Sequence, residues 1–151
     1  MDETSRSSGR TVEGGCFCGA VRFRAELTGD AAICHCEHCR RATGASMWAC
    51  AEARRDEVEW TAGTPAAYHH ASDWPTPITR RFCGDCGTTL TYERDGSECI
   101  DLSLAALDDP EVVAPRYHAY ASRRLSWTRL NDGLPEYDTL PGSGEREAGT
   151  S

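Results

Sequence analysis

Two short stretches decide the fold, Gly15-Cys16-Phe17-Cys18-Gly19 and Cys83-Gly84-Asp85-Cys86-Gly87. Residues two apart in a strand point to opposite faces, so paired thiols reach one ion only where the backbone makes a tight turn, which flanking glycine permits. The two stretches are alike in form and far apart in sequence, so one shared ion would pin the start of the domain to its middle. We therefore predict a structural zinc on four thiolates: Cys16, Cys18, Cys83 and Cys86.

A third cluster, Cys34-His35-Cys36-Glu37-His38-Cys39, contains three further cysteines within six residues. Structural zinc takes four closed ligands, whereas catalytic zinc keeps three protein ligands and one open position. Seven clustered cysteines divide as four plus three. The third cluster therefore predicts a second zinc with a vacant corner, where chemistry or ligand exchange takes place.

The residues alone leave alternatives open. One zinc with three unbound thiols is possible, and so are redox disulfides. His35 or His38 is an alternative fourth ligand of the second zinc, which would close that site and make it structural. Cys50 and Cys99 lie in strand-like runs without a partner motif, and we interpret both as buried small hydrophobes.

Composition narrows the function classes. The nine cysteines stand in a sequence that shows no export signal, which favours metal over disulfides and a cytoplasmic location. A formal net charge of −8 opposes nucleic-acid binding, and no apolar run is long enough to cross a bilayer. All 16 basic residues are arginine, so Schiff-base lysine chemistry is excluded within this chain. The sequence leaves Cys, His, carboxylates and metal for any reaction.

The remaining pattern is mainly β. Short runs with a two-residue period, bounded by Gly, Pro, Asp or Thr, predict strands, and the first of them ends at a Thr28-Gly29-Asp30 turn. A helix is predicted over Glu37–Thr43, with Leu104–Val112 as a second candidate, while Tyr117–Trp127 is too mixed to assign. We predict flexible tails at residues 1–10 and 142–151 around one zinc-binding domain at 11–141. The predicted strands are 21–27, 45–51, 58–60, 66–70, 78–82, 88–92 and 99–104.

The three cysteine blocks, taken with their neighbours at Gly14–Arg22, Cys34–Ala45 and Phe82–Leu90, resemble the glutathione-dependent formaldehyde-activating enzyme family, which also includes centromere protein V. Their order and spacing match over roughly residues 12–127. The resemblance implies a β-tent fold of small antiparallel sheets stapled by zinc. It also implies the same division of ligands, with Cys34, Cys36 and Cys39 on the second ion.

The activity that the resemblance implies is a carbon–sulfur lyase reaction, the joining of glutathione to formaldehyde to give S-hydroxymethylglutathione. Glutathione carries carboxylates, and Arg40 with Arg41, beside the second zinc, are our candidates to bind them. Arg80 with Arg81 form a second candidate pair. The proton shuttle candidates are His38, Glu37 and Asp85.

Two functions therefore follow from the sequence. The first is an enzyme, a zinc-dependent carbon–sulfur lyase or thiol adduct synthase acting on a small glutathione-like thiol and an aldehyde such as formaldehyde. The second is a non-catalytic zinc-stapled β module that binds another protein, because small cores often need metal staples.

Overall fold

The computed structural model describes residues 10–72, 75–143 and 145–146, with the last pair described in backbone only. The fold is mainly β, as predicted, with one α-helix in this part of the chain. The predicted tails at 1–10 and 142–151 fall largely outside the described residues, which include Arg10 in the first strand, Gly142 and Ser143, and a two-residue strand at 145–146. The domain limits stay a prediction. The strands are β1 (Arg10–Gly15), β2 (Arg22–Cys34), β3 (Trp48–Arg54), β4 (Glu59–Ala62), β5 (Ala66–His70), β6 (Ile78–Phe82), β7 (Thr89–Arg94), β8 (Cys99–Ser103), β9 (His118–Ala119), β10 (Glu136–Tyr137) and β11 (Glu145–Arg146), and the helix is α1 (Glu37–Thr43).

The described residues divide into two compact units. The first unit comprises residues 10–30 and 51–113, and the second comprises 31–50 and 114–146. In the first unit, β1 and β4 each pair with β2 in antiparallel fashion, and β5, β6, β7 and β8 form an antiparallel meander with β3 beside β8. In the second unit, the last residues of β2 pair in parallel with β9, β9 pairs in parallel with β10, and β10 pairs antiparallel with β11.

The first unit has an apolar core. Alternation along β2 buries Phe23, Leu27 and the alanine between them at 1% exposure, and the rings of Phe23 and Trp60 form a T-shaped pair with centroids 5.9 Å apart. Side chains of Ile78, Leu90 and Leu102, from β6, β7 and β8, are fully buried. Burying each such side chain stabilises the fold by about 1.5–3 kcal/mol, so this unit carries most of the hydrophobic stabilisation in the described residues.

The second unit buries polar groups instead. Its largest fully buried side chains are His35, His118 and Glu136, while its buried apolar residues are mostly alanine and cysteine. Burying polar groups costs free energy unless each finds a partner. A unit that buries polar side chains despite this free-energy cost is a candidate location for the functional site.

The predicted elements agree with the observed ones in most places. The strands at 66–70 and 78–82 and the helix at 37–43 have the predicted bounds. The turn predicted at Thr28–Asp30 is wrong, because β2 continues to Cys34 with Gly29 accommodating a positive φ of 99° inside it. Leu104–Val112 holds two 3₁₀ turns rather than a helix, at Leu104–Ala106 and Pro110–Val112. No helix of the described residues has the length and apolarity that a membrane span requires.

Asp101 on β8 provides a pH prediction. Burial, with a further contribution from the Glu52 carboxylate, raises the pKa of Asp101 from 3.8 to about 7. From about pH 4 to pH 7 the unfolded chain therefore loses a proton that the folded chain keeps, so stability falls as pH rises. We expect Asp101→Asn to be more stable than wild type by about 2 kcal/mol at pH 8, with no difference near pH 4.

Urea unfolding at both pH values measures this effect. The difference between variant and wild type cancels the acid sensitivity of the thiolate clusters, which both proteins share. Asp56→Asn, at an exposed position, serves as the matched control and should show no pH-dependent difference. Equal stabilities of the Asp101→Asn variant and wild type at pH 8 would contradict the prediction.

Candidate metal centres

The four predicted cysteines of the structural site come together in the first unit. Their Sγ atoms all lie within 4.8 Å of one another, with Cys16 to Cys18 at 3.7 Å and Cys18 to Cys83 at 3.8 Å. A tetrahedron of thiolates at the usual zinc–sulfur distance of about 2.3 Å has edges of about 3.8 Å. A disulfide would need about 2.05 Å, and all nine cysteines are free thiols. The spacing fits zinc and excludes disulfides here.

Tight turns aim these thiols inward. Gly19 and Gly87 follow the two cysteine pairs with φ values of 84° and 83°, a region that side chains rarely adopt. Their N–H groups donate to the carbonyls of Cys16 and Cys83 at 3.2 and 2.8 Å, which closes each turn. Both turns end in a left-handed glycine, although the first is closed by a bond between residues three apart and the second by a bond between residues four apart.

Backbone N–H groups point at the sulfurs. Val21 N donates to Cys16 Sγ at 3.2 Å, and Cys86 N donates to Cys83 Sγ at 3.4 Å. Thr88 links the two turns, because its hydroxyl oxygen accepts from Phe17 N at 3.0 Å and lies 3.2 Å from Cys86 Sγ. Such donors stabilise thiolate charge.

The pKa values of the thiols in this group indicate that a cation is needed to ionise all four. The Thr88 hydroxyl and N–H lower the pKa of Cys86 to about 5. For Cys18, the Ala20 N–H lowers the pKa, but the neighbouring thiol of Cys16 and burial outweigh it, so the pKa rises to about 12. The cluster therefore stabilises some thiolates and opposes the rest until a cation binds. Four thiolates around Zn²⁺ satisfy that requirement, so the donor set fits zinc.

The three cysteines of the second predicted site come together in the second unit. The Sγ atoms of Cys34, Cys36 and Cys39 lie within 4.8 Å of one another. Cys34 ends β2 and Cys39 sits in α1 at 4% exposure. Among the described residues, no histidine or carboxylate joins either group. The alternatives with His35 or His38 as fourth ligand are therefore absent from this geometry.

Local signals place α1 at this site. Cys36 is its N-cap, with φ −67° and ψ 155°, and its sulfur accepts from Cys39 N at 3.3 Å. Gly44 ends the helix in a left-handed conformation and donates its N–H to Arg40 O at 2.8 Å. The helix therefore begins at one predicted ligand and presents a second three residues later.

The pKa values of this group also indicate shared protons. Hydrogen bonding to Cys36 raises the pKa of Cys34, whereas hydrogen bonds from Cys34 and Cys39 lower the pKa of Cys36 to about 2. One thiolate is thus held by two thiol donors. A divalent cation would release those protons and leave three thiolates, which fits zinc with one position open.

A chain of hydrogen bonds lies behind the second group. His35 Nε2 is 2.9 Å from His118 Nδ1, and His118 Nε2 is 2.9 Å from Asp132 Oδ2. The two rings stack at 5.1 Å, and both side chains are fully buried. Burial, with the neighbouring His118 second, lowers the pKa of His35 to about 4. His35 is thus a buried neutral imidazole between two predicted ligands.

A buried ion pair accompanies this chain. Arg124 Nη1 lies 3.0 Å from Glu136 Oε2, with both side chains under 10% exposed. Neither carboxylate oxygen of Glu136 has a hydrogen-bond partner among the described residues. Glu136 is the register partner of His118. His118, Asp132, Arg124 and Glu136 were not predicted from the sequence, because they lie in loops or in two-residue strands and belong to no spacing motif. A histidine opening a short apolar run was the only available signal.

The other predicted residues are placed as follows. Arg40 donates Nε to His35 O at 3.2 Å, and Arg41 pairs with Glu37 at 2.9 Å while 79% of its side chain is exposed. In the first unit, Arg81 pairs with the buried Glu93 at 2.8 Å, and Arg80 covers the Tyr92 ring at 4.8 Å. His38 and Asp85 are exposed, Cys50 is buried and Cys99 is half-buried.

Comparisons with known proteins agree with the cysteine pattern. The sequence profile described as "Glutathione-dependent formaldehyde-activating enzyme" matches residues 11–123. A crystal structure of a Rhodobacter sphaeroides protein from a structural genomics programme is similar, with a TM-score of 0.54 and 29% identity over 69% of this chain and 92% of that chain. No curated protein matches the chain.

Proposed function

We propose, because this chain belongs to the glutathione-dependent formaldehyde-activating enzyme family, that it is a zinc-dependent carbon–sulfur lyase. It joins a glutathione-like thiol to an aldehyde such as formaldehyde. The observation that carries this proposal is the group of Cys34, Cys36 and Cys39, which offers three sulfur ligands and, among the described residues, no fourth donor. A three-ligand set is typical of a catalytic zinc, whereas the four-cysteine group is typical of a structural one.

The reaction forms one bond without a leaving group. The thiol sulfur attacks the aldehyde carbon, and the carbonyl oxygen becomes a hydroxyl by taking the proton that the thiol gives up. Zinc on the three cysteines would supply a lowered pKa for the substrate thiol, so that thiolate is available at neutral pH. Three anionic ligands make a weakly electrophilic site, which suits thiol exchange better than water splitting.

The protein's own residues keep this site in place. The main chain of His35 is held at both ends, since its N–H donates to Ala119 O at 3.0 Å and its carbonyl accepts from Arg40. The same contact holds the Arg40 guanidinium beside the cysteine loop, which supports its proposed role in binding a substrate carboxylate. Arg41, exposed one residue later, is the second candidate for that role.

A non-catalytic zinc module is the second candidate. Phe17 stands between two predicted structural ligands with 94% of its surface exposed, a costly position for a phenylalanine that covers nothing. A protein partner docking on this turn would explain it. In that case neither metal group needs an open position.

Cobalt substitution separates the two functions. We expect glutathione to change the ligand-field bands of cobalt in the three-cysteine group, because an entering thiol completes its coordination. A module with closed sites would give unchanged bands. The same protein, reloaded with zinc, should raise the rate of S-hydroxymethylglutathione formation above the uncatalysed rate, followed by NMR. Unchanged cobalt bands together with a rate no higher than the uncatalysed one would favour the non-catalytic zinc module.

A further inference from the structure

His35, which lies between two predicted ligands of the second group, has an unused hydrogen-bonding atom. Its Nδ1 is buried, and it has no hydrogen-bond partner among the described residues. In histidine, Nδ1 is bonded to Cγ and lies on the ring edge nearer the main chain, which here is the Cys34–Cys36 loop. Nε2 lies at the far end and bonds to His118. A buried polar atom without a partner is costly, which suggests that a ligand completes it.

The protons shared along the Asp132–His118–His35 chain determine what kind of partner His35 Nδ1 needs. Burial would raise the pKa of Asp132, but hydrogen bonds from Leu134 N–H and His118 hold it below its usual value. Asp132 is therefore a carboxylate that only accepts, so the proton between it and His118 belongs to His118 Nε2.

The proton on His118 Nε2 also determines the protonation of His35. A neutral imidazole carries one proton, on one of its two ring nitrogens. His118 Nδ1 is then an acceptor, so His35 must donate from Nε2. The remaining Nδ1 of His35 carries a lone pair.

Strand pairing and backbone hydrogen bonds hold the members of this chain in place. His118 lies in β9, between β2 and β10, and its N–H donates to Pro135 O at 2.9 Å. Asp132 Oδ1 accepts from Leu134 N at 3.1 Å, which fixes the carboxylate. The main chain of His35 is held by its own contacts with Ala119 and Arg40, and its ring stacks on that of His118.

We propose that Asp132 and His118 are positioning residues, which lock His35 in the tautomer whose Nδ1 accepts a hydrogen bond from the substrate at the second metal centre. The donor is the O–H of the aldehyde adduct that the substrates form, since zinc would hold the thiol itself as a thiolate. Its identity rests on the proposed function, whereas the tautomer does not. Nδ1 is not a fourth ligand, since His35 is absent from the group of converging ligand atoms.

The first test is ¹⁵N NMR of histidine-labelled, zinc-loaded protein at pH 8. We expect a pyridine-type shift for His35 Nδ1 and a pyrrole-type shift for its Nε2. Glutathione added together with formaldehyde should move the Nδ1 signal toward the hydrogen-bonded range. A protonated or zinc-bound Nδ1 in the wild type would overturn the proposal, without the need for any variant.

Asp132→Asn provides the second test. Both carboxylate oxygens accept, and asparagine has only one oxygen. The backbone N–H of Leu134 cannot change, so the amide oxygen takes the place of Oδ1 and the NH₂ group takes the place of Oδ2. Oδ2 is the closer of the two oxygens to His118 Nε2, at 2.9 Å against 3.2 Å for Oδ1. We therefore expect His118 to carry its proton on Nδ1 and to donate to His35, so that both tautomers invert. Asp→Asn beside a catalytic histidine is known to keep geometry while presenting the wrong tautomer.

The expected result is a pyrrole-type His35 Nδ1 in Asp132→Asn and no change in Asp138→Asn, the matched control in the same unit. Zinc content should stay at the wild-type value. The catalytic rate with glutathione and formaldehyde should fall about 10- to 100-fold, as expected when one buried hydrogen bond is lost and its partner is left unsatisfied.

The readouts distinguish the failure of each proposal. An unchanged His35 tautomer in Asp132→Asn would refute the positioning role of Asp132 and His118. Inverted tautomers with an unchanged rate in an active enzyme would refute substrate binding at Nδ1. An inactive wild type with the expected tautomers would support the positioning role and refute the lyase activity.

Discussion

Serine in place of Cys83 is expected to remove one zinc ion and to destabilise the protein by at least about 5 kcal/mol. Cys83 is 1% exposed and its sulfur accepts from the N–H groups of Asp85 and Cys86. Metal binding in small zinc domains contributes on the order of 10 kcal/mol, comparable with the whole stability of a domain. Loss of one ligand should therefore lower the melting temperature by about 10–20 °C.

Calorimetry and zinc analysis of the same preparation measure both parts of this prediction. Cys99→Ser is the control, since this half-buried thiol in the same unit joins neither group. It should keep both ions and melt within a few degrees of wild type. Two zinc ions and a native melting temperature in Cys83→Ser would show that the four-cysteine group does not hold the structure.

Serine in place of Cys36 is expected to leave a folded protein with one zinc ion and at least about a thousand-fold less activity. Metal-assisted stabilisation of a transition state is worth several kcal/mol, which corresponds to this factor. Serine is a strongly preferred N-cap, so its hydroxyl should keep the cap on α1 that the Cys36 sulfur provides. The substitution therefore separates metal loss from helix loss.

Zinc per chain, circular dichroism and turnover test this prediction together. Cys50→Ala, a buried cysteine of the second unit that joins neither group, should retain both ions and activity. Full turnover by Cys36→Ser would remove the three-cysteine group from the reaction. A variant without helix α1 would instead point to a structural role for that ion.

Much of the metal chemistry was predictable because it is local in sequence. Spacing alone divided seven cysteines as four plus three, and the structure brings the same two groups together. The helix at 37–43 was also predictable, since it has a cap, a basic last turn and a terminal glycine within ten residues. Each of these signals depends on neighbours in the chain.

The features that the sequence did not predict depend on long-range contacts. Thr28–Asp30 has turn chemistry, yet β2 runs through it. His118 and Asp132 have no motif, and they acquire a role only when β9 lies beside the end of β2 and brings His118 to His35. No local sequence pattern predicts the contact between His118 and His35.

The two cysteine groups also differ in the length of the chain loop that metal binding closes. Cys34, Cys36 and Cys39 close a short loop at little entropic cost, whereas joining Cys16 to Cys86 closes a long one, whose cost grows with the logarithm of its length. During synthesis, the short group is complete once residue 39 has left the ribosome. The long group waits for residue 86, so we expect the two ions to be acquired in that order.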